Sequence, residues 1–72
     1  MILFRDPRTD PAPGDEIARQ FVTAKGGCII RKVVRAHGGF VFYERDNGYR
    51  VLNRFESLAE WRRWARLAEV ID

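Results

Sequence analysis

The chain has 72 residues with a single cysteine, and its 13 basic and 10 acidic side chains give a formal net charge of +3. This length fits one domain, residues 1–72, that buries only about 60% of its unfolded surface. One cysteine excludes an internal disulfide, and no apolar run approaches the roughly 18 residues of a membrane span. Because residues 1–4 are also too short for a signal peptide, we expect a cytoplasmic protein without membrane association.

Residues 28–55 hold the positive charge of the chain, with six basic against two acidic side chains. Residues 1–27 are balanced, and residues 56–72 carry a net charge of −1. Because residues 28–55 are also the part most typical of β-strands, the excess favours an anionic partner for the predicted sheet.

The chain begins with a proline-rich segment, residues 1–15, that we interpret as an extended, turn-rich lead-in. Its residues 1–4 fit either a short edge strand or a disordered start, and the turn formers after them are Pro7, Pro11, Pro13 and Gly14. Residues 16–23 fit both a helix and a strand, and we favour the strand. Residues 24–27 form a loop whose Gly26-Gly27 pair matches no phosphate-binding motif.

Residues 28–36 are rich in β-branched side chains and are predicted to form a strand. A two-residue turn at Gly38-Gly39 would place Arg35 opposite Phe42, whereas a three-residue loop over residues 37–39 extends one apolar face. We favour the three-residue loop. It pairs Ala36 with Phe40, Val34 with Phe42 and Lys32 with Glu44.

A second hairpin is predicted at Asn47-Gly48, because a type I′ turn needs positive φ at both central residues. Pairing outward from that turn places Asp46 opposite Tyr49 and Phe40 opposite Phe55. Since side chains alternate along a strand, one face then collects the apolar residues Phe40, Phe42, Val51 and Phe55. We assign this aromatic face to the core.

The opposite face of the predicted sheet combines aromatic and basic side chains, and we interpret it as the exposed binding surface. Its members are Val41, Tyr43, Arg45, Arg50, Leu52 and Arg54, to which the preceding strand adds Arg31, Val33 and Arg35. Tyrosine and arginine are enriched at the hot spots of interfaces. The alternative is that these basic side chains form an ordinary hydrated surface.

Residues 57–71 are predicted to form one helix, which a capping box at residues 57–60 begins. Its apolar stripe is Leu58, Trp61, Ala65 and Ala68, with Trp64 and Ile71 at the edge. We assign both tryptophans to the core or its edge; the alternative is one exposed ring that anchors a partner. The opposite side holds Arg62, Arg63 and Arg66, and we add Arg62 and Arg66 to the candidate binding residues.

Together these elements predict an α+β domain. A small antiparallel β-meander of three or four strands occupies residues 16–55, and the C-terminal helix packs on its apolar face. Closure of these strands into an SH3-like barrel is the alternative to an open sheet.

Patterns that would indicate catalysis or metal binding are weak. His37 is the only histidine and lies beside two glycines, and Cys28 opens a strand without a histidine nearby. The carboxylates are scattered and form no acid–base pair. We therefore predict no enzyme, no catalytic residue, no cofactor and no bound metal.

Two motifs near the ends of the chain are distinctive, Asp6-Pro7-Arg8-Thr9-Asp10-Pro11 with Pro13-Gly14-Asp15, and Trp61-Arg62-Arg63-Trp64-Ala65 with Ala68-Glu69-Val70. With them the chain resembles a family of short uncharacterised proteins of proteobacterial phages and prophages, in which the motifs bracket a variable β-rich middle. That family often has arginine where Ala12 stands, and a small residue or cysteine in place of residues 55–56. The resemblance transfers no functional residue. It implies a phage setting, in which short accessory proteins commonly bind host machinery.

Three functions remain as hypotheses. In the first, the protein docks on a host protein or complex in the host cytoplasm and modulates or inhibits it, as in anti-defence or host takeover. In the second, the basic-aromatic face binds DNA or RNA, with arginines on phosphates and Tyr43 stacking on a base. In the third, the protein is a structural module that forms a homodimer.

Overall fold

The computed structural model describes residues 5–20 and 27–71, which form one antiparallel sheet with a single helix packed on it. The elements in chain order are β1 (Glu16–Gln20), β2 (Cys28–His37), β3 (Phe40–Asp46), β4 (Val51–Ser57), α1 (Leu58–Ala65) and β5 (Glu69–Ile71). The strand order across the sheet is β4-β3-β2-β1-β5. The predicted α+β class and its β-meander are confirmed. Within the described part of the chain, no helix is long and apolar enough to cross a membrane.

The predicted helix over residues 57–71 is too long, because the structure contains a fifth strand. Helix α1 ends at Ala65, and β5 then pairs with β1 so that Val70 lies opposite Ile17. The β-branched Val70 and Ile71 favour a strand, and the edge of β1 offers hydrogen-bond partners to it. Together they outweigh the helical pattern that the preceding residues begin. In the described residues β4 and β5 each pair with one neighbour only, so the sheet is open and does not close into a barrel.

The strand prediction for residues 16–23 is confirmed over β1. Its remainder, residues 21–23, lies outside the described residues, as do most of the predicted loop and the ambiguous residues 1–4. Strand β1 pairs along its whole length with β2, from Glu16 opposite Lys32 to Gln20 opposite Cys28.

The predicted three-residue loop between β2 and β3 is wrong. Gly38 and Gly39 form a two-residue turn with φ of +61° and +83°, and Arg35 lies opposite Phe42. Two consecutive glycines supply the positive φ that this tight turn requires. A β-bulge between Val33 and Arg35 then adds one residue, which restores the predicted pairing of Lys32 with Glu44 farther along the hairpin.

The predicted two-residue turn at Asn47-Gly48 is also wrong. Residues 47–50 form the loop, and Asp46 pairs with Val51. The Asn47 side chain closes it, since its Oδ1 accepts hydrogen bonds from the backbone N–H groups of Tyr49 and Arg50 at 2.9 and 3.0 Å. The register moves by two residues, which is one full period of a strand. The same side chains therefore still share a face.

The assignment of the two sheet faces is inverted in the structure. Helix α1 covers the face that holds Val41 and Tyr43, and the buried core is Ile17, Val33, Val41, Tyr43, Trp61, Ala65 and Ala68. The predicted core face is open, with Phe40 45% and Phe55 65% exposed. Both faces carry apolar side chains, so alternation alone does not decide between them. The covered face is the one toward which the chain turns where α1 follows β4.

Helix α1 begins as predicted at its N-cap Ser57, whose Oγ accepts a hydrogen bond from the Glu60 N–H at 3.1 Å. The reciprocal half of the capping box is replaced, because the Glu60 carboxylate accepts from Arg63 at 2.9 Å. Trp61 and Ala65 are buried, and Leu58 and Trp64 pack against the core. The assignment of both tryptophans to the core or its edge is confirmed.

The described lead-in, residues 5–15, lies against the helix and continues into β1. Trp61 Nε1 donates to the Pro7 carbonyl at 3.0 Å, and Arg62 Nε donates to the Thr9 carbonyl at 2.8 Å. Asp15 joins this segment to the sheet, since its carbonyl accepts from the Val33 N–H at 2.8 Å. The lead-in is turn-rich as predicted, and it forms part of the folded domain.

Candidate binding surfaces

The structure distributes the predicted binding residues over four environments instead of one face. Tyr43 and Arg31 are only 3% and 7% exposed, so the prediction that they lie on an open surface is wrong. The physical reason is that α1 packs on their side of the sheet. The other predicted residues are Arg45 and Arg54 on the strands of this same face, Arg50 in the loop before β4, Arg35 on the open face, and Arg62 and Arg66 on the helix.

Arg31 is a buried charge enclosed by aromatic rings. Its Cζ lies 3.8 Å from the Trp64 ring centroid and 4.4 Å from that of Tyr43, and its Nη1 donates to the Glu56 carboxylate. Burial lowers the pKa of Arg31, and the negative charge of Glu56 acts against that lowering. Its Nε is buried without a hydrogen-bond partner among the described residues. The side chain therefore holds the sheet to the helix and does not face a ligand.

The pairing of Arg31 with Glu56 was not predicted from the sequence, because it depends on the register of β4. In the predicted register Val41 faces Arg54, whereas the structure places Val41 opposite Glu56. That shift brings a carboxylate to the buried edge of the face on which Arg31 lies. The available signal was that Arg31 alternates with the apolar residues Ile29 and Val33 along β2.

The open face of the sheet carries an apolar patch, which we call the outer patch: Val34, Phe40, Phe42, Val51 and Phe55. Phe42 and Phe55 stack with ring centroids 5.6 Å apart, and Phe40 meets Phe55 edge to face at 6.3 Å. Arg35 extends the patch, with its Cζ 4.7 Å from the Phe42 centroid. A groove of about 560 Å³ runs along Phe42 and Phe55. Exposed apolar surface of this kind commonly marks an interaction site.

Charges of both signs flank the outer patch. The alternation of β3 places Glu44 and Asp46 on the same face as Phe42, and β2 contributes Lys32 and Arg35. Because these formal charges cancel, the outer patch lacks the positive excess that attracts a phosphate backbone. Its aromatic centre and mixed polar margin have the composition of a protein–protein interface.

A second groove lies between the lead-in and the helix, on the opposite side of α1 from the core. It has a volume of about 600 Å³ and is lined by Asp6, Arg8, Thr9, Ala59, Arg62, Arg63 and Arg66. Arg8 makes two hydrogen bonds to the Asp6 carboxylate, at 3.1 and 3.2 Å, and this lowers the pKa of Asp6. The four arginines against one aspartate leave this helix-side groove positively charged.

Residues that could support nucleophilic or metal chemistry are far apart. Cys28 and His37 lie at opposite ends of β2, and ten residues of strand span roughly 30 Å. Within residues 5–20 and 27–71, no group of three or more His, Cys, Asp or Glu side chains is placed to hold a metal ion. The prediction that the protein is not an enzyme stays a prediction.

No protein family model, no curated protein and no solved structure matches the chain. The resemblance to short phage and prophage proteins therefore stays a prediction. In the structure, the two motifs that carry it pack on each other, since Trp61 donates to the Pro7 carbonyl and Arg62 to the Thr9 carbonyl. The part of these motifs that is described thus has a structural role.

Proposed function

We propose that this protein is a non-enzymatic, phage-type binding protein that docks on a host protein or complex through the outer patch and modulates or inhibits it. The observation that supports this most is the exposed phenylalanine cluster at one end of the open sheet face. Phe55 is 65% exposed and Phe40 45% exposed, although both lie in regular strands. Burial of such side chains under a partner lowers the free energy of the complex.

The arrangement of the patch also supports a protein partner over a phosphate backbone. The stacking of Phe42 on Phe55 holds both rings in place, so little side-chain entropy is lost on binding. Arg35 lies over Phe42 and offers a guanidinium at the margin, where hydrogen bonds to a partner surround an apolar centre. Because the margin of the outer patch carries charges of both signs, it is complementary to a partner surface that also carries both.

The test compares two serine variants of the tagged protein in pull-downs from host lysate, with and without nuclease. Phe40→Ser/Phe55→Ser removes two of the three aromatic rings of the outer patch, and Leu67→Ser removes an apolar side chain that is 74% exposed elsewhere. We expect capture of a stoichiometric protein partner to be lost with the first variant and retained with the second. A folded double variant that captures the same partner would refute the proposal.

A second candidate function is nucleic-acid binding at the helix-side groove, which its four arginines favour. Arg62 is oriented by its hydrogen bond to Thr9, which leaves its terminal nitrogens available to phosphates. Fluorescence anisotropy with labelled single-stranded DNA tests this function. We expect affinity to fall steeply with salt, with a slope of about −0.7 for each phosphate contact, and to be lost in Arg62→Glu/Arg66→Glu. Salt-insensitive or absent binding would exclude this function.

A further inference from the structure

Among the described residues, strand β4 lies at one edge of the sheet and pairs with β3 alone. The two-residue turn closes on the His37–Phe40 pair, and main-chain hydrogen bonds then alternate along β3. Val41, Tyr43 and Arg45 therefore bond to β4, where their partners are Glu56, Arg54 and Leu52. It follows that the backbone N–H and C=O groups of Val51, Asn53 and Phe55 face outward, away from β3, as does the N–H of Ser57, whose carbonyl accepts the first hydrogen bond of α1.

Several of the features that usually prevent edge-to-edge pairing are missing from this edge, and its charged side chains are of opposite sign. Strand β4 has seven residues, with no proline and no lysine among them. Its two charged side chains are of opposite sign and flank one aromatic residue, as Arg54-Phe55-Glu56. An edge that alternates in this way is complementary to a second copy of itself.

The alternation defines a register. If two β4 strands pair antiparallel about a two-fold axis at Phe55, each Arg54 lies opposite Glu56 of the other copy, and each Asn53 lies opposite Ser57. Arg54 is exposed, and the Glu56 side chain retains 22% exposure beside its ion pair with Arg31. A two-fold axis at Arg54 would instead place like charges opposite each other, which is destabilising.

We propose that a second copy of this chain pairs with the β4 edge in this register, which makes a homodimer with one continuous ten-stranded sheet. The two outer patches then become neighbours across the two-fold axis, with the Phe55 rings at the centre. The dimer itself does not depend on the proposed docking function. Its consequence does, because a partner would meet a doubled aromatic face instead of a single patch.

Sedimentation equilibrium between about 10 µM and about 1 mM tests the dimer, a range that covers weak to moderate affinities. Arg54→Glu sets two glutamates opposite each other at both ends of the register, and we expect it to weaken dimerisation about tenfold. Asn53→Pro removes an outward-facing N–H without losing a bond to β3, and we expect a monomer. Arg66→Glu is the matched control, a charge reversal on the helix that leaves dimerisation unchanged.

Amide hydrogen exchange tests the register itself. In concentrated samples we expect the amides of Asn53, Phe55 and Ser57 to gain protection, whereas those of Leu52 and Arg54 are protected at every concentration. A chain that stays monomeric up to about 1 mM would overturn the proposal. So would a dimer that forms equally well in the folded Arg54→Glu and Asn53→Pro variants, or one that leaves the edge amides unprotected.

The dimer and the docking function fail separately. A monomeric Arg54→Glu variant that still captures the host protein would leave the docking proposal in place and show that one patch is sufficient. A Phe40→Ser/Phe55→Ser variant that loses the partner while it still dimerises through the edge amides would support both proposals.

Discussion

Arg31 is a charged side chain that lies within the core. A guanidinium with 8% side-chain exposure lies between the rings of Trp64 and Tyr43 and pairs with Glu56. Cation–π contacts of this kind contribute about 0.5–2 kcal/mol each, but removal of the charge from water costs several kcal/mol. The arrangement is favourable only while the carboxylate is in place.

We predict that Glu56→Ala destabilises the fold by about 3 kcal/mol, because it leaves the Arg31 charge buried without a counter-charge. Urea denaturation measures the change in the free energy of unfolding. Glu60→Ala is the matched control, since Glu60 and Arg63 form an exposed pair worth at most about 0.5 kcal/mol. The double variant Arg31→Met/Glu56→Ala should recover part of the loss. Equal effects of the two glutamate variants would contradict the prediction.

The lead-in and helix α1 support each other as elements. A helix of eight residues is too short to be stable in isolation, so α1 depends on tertiary contacts. The sheet supplies the apolar contacts on one side, and the lead-in carbonyls of Pro7 and Thr9 accept hydrogen bonds from the Trp61 and Arg62 side chains on the other. The proline-rich composition of the lead-in limits its freedom in the unfolded chain, which lowers the entropy cost of this docking.

We predict that Trp61→Phe destabilises the protein by about 1–2 kcal/mol, because it keeps an aromatic ring but removes the indole N–H that pairs with Pro7. The more specific effect is on the lead-in turn, where the amides of Thr9 and Asp10 donate to the Asp6 carbonyl. Hydrogen exchange should show these two amides losing protection. Trp64→Phe is the control, since its indole stacks on Arg19 and Arg31. Equal loss of lead-in protection in both variants would refute the coupling.

At the scale of the whole molecule, one sheet face is covered and the other is open. The helix and the lead-in lie on the Val41 and Tyr43 side, and no described element covers the outer patch. Ion pairs also hold the lead-in to itself, notably Arg5 with Asp15, whose carboxylate accepts a further hydrogen bond from the Ala12 N–H at 2.8 Å. Stability of a chain this short is expected to respond to the loss of few contacts.

We predict acid destabilisation through this carboxylate. The hydrogen bond from Arg5 lowers the pKa of Asp15 in the folded state, so its contribution is present above the unfolded pKa of about 4 and disappears as the pH falls through the folded value. Thermal unfolding from pH 2 to pH 7 should show Asp15→Asn less stable than the native chain at neutral pH and equal to it at the acid end. Asp10→Asn, an exposed neighbour, is the control. Curves for Asp15→Asn that stay parallel to those of the native chain would contradict this assignment.

The local features of the fold were predictable from the sequence because each depends on residues near in the chain. Ser57 caps a helix through its own side chain and the Glu60 amide, and β-branched residues favour β2. Membership of the sheet faces was also predictable for β3 and β4, since an error of two residues in the β4 register is one full strand period and leaves Phe42 and Phe55 together. It was wrong for Arg35, which the bulge in β2 moves to the open face. The turn types were not predictable, because Gly38-Gly39 fits loops of two lengths and the bulge at Val34 reconciles both registers.

The sequence by itself determined the α+β class, the strands of the meander, the start of the helix and the presence of two apolar sheet faces. Only the tertiary structure decided which face is covered, that residues 69–71 add a fifth strand, and that Arg31 lies inside while Phe55 lies outside. The physical reason is that strand alternation and capping depend on neighbours in sequence, whereas burial depends on where α1 and the lead-in meet the sheet. That meeting is fixed by contacts such as Trp61 with Pro7, between residues 54 positions apart.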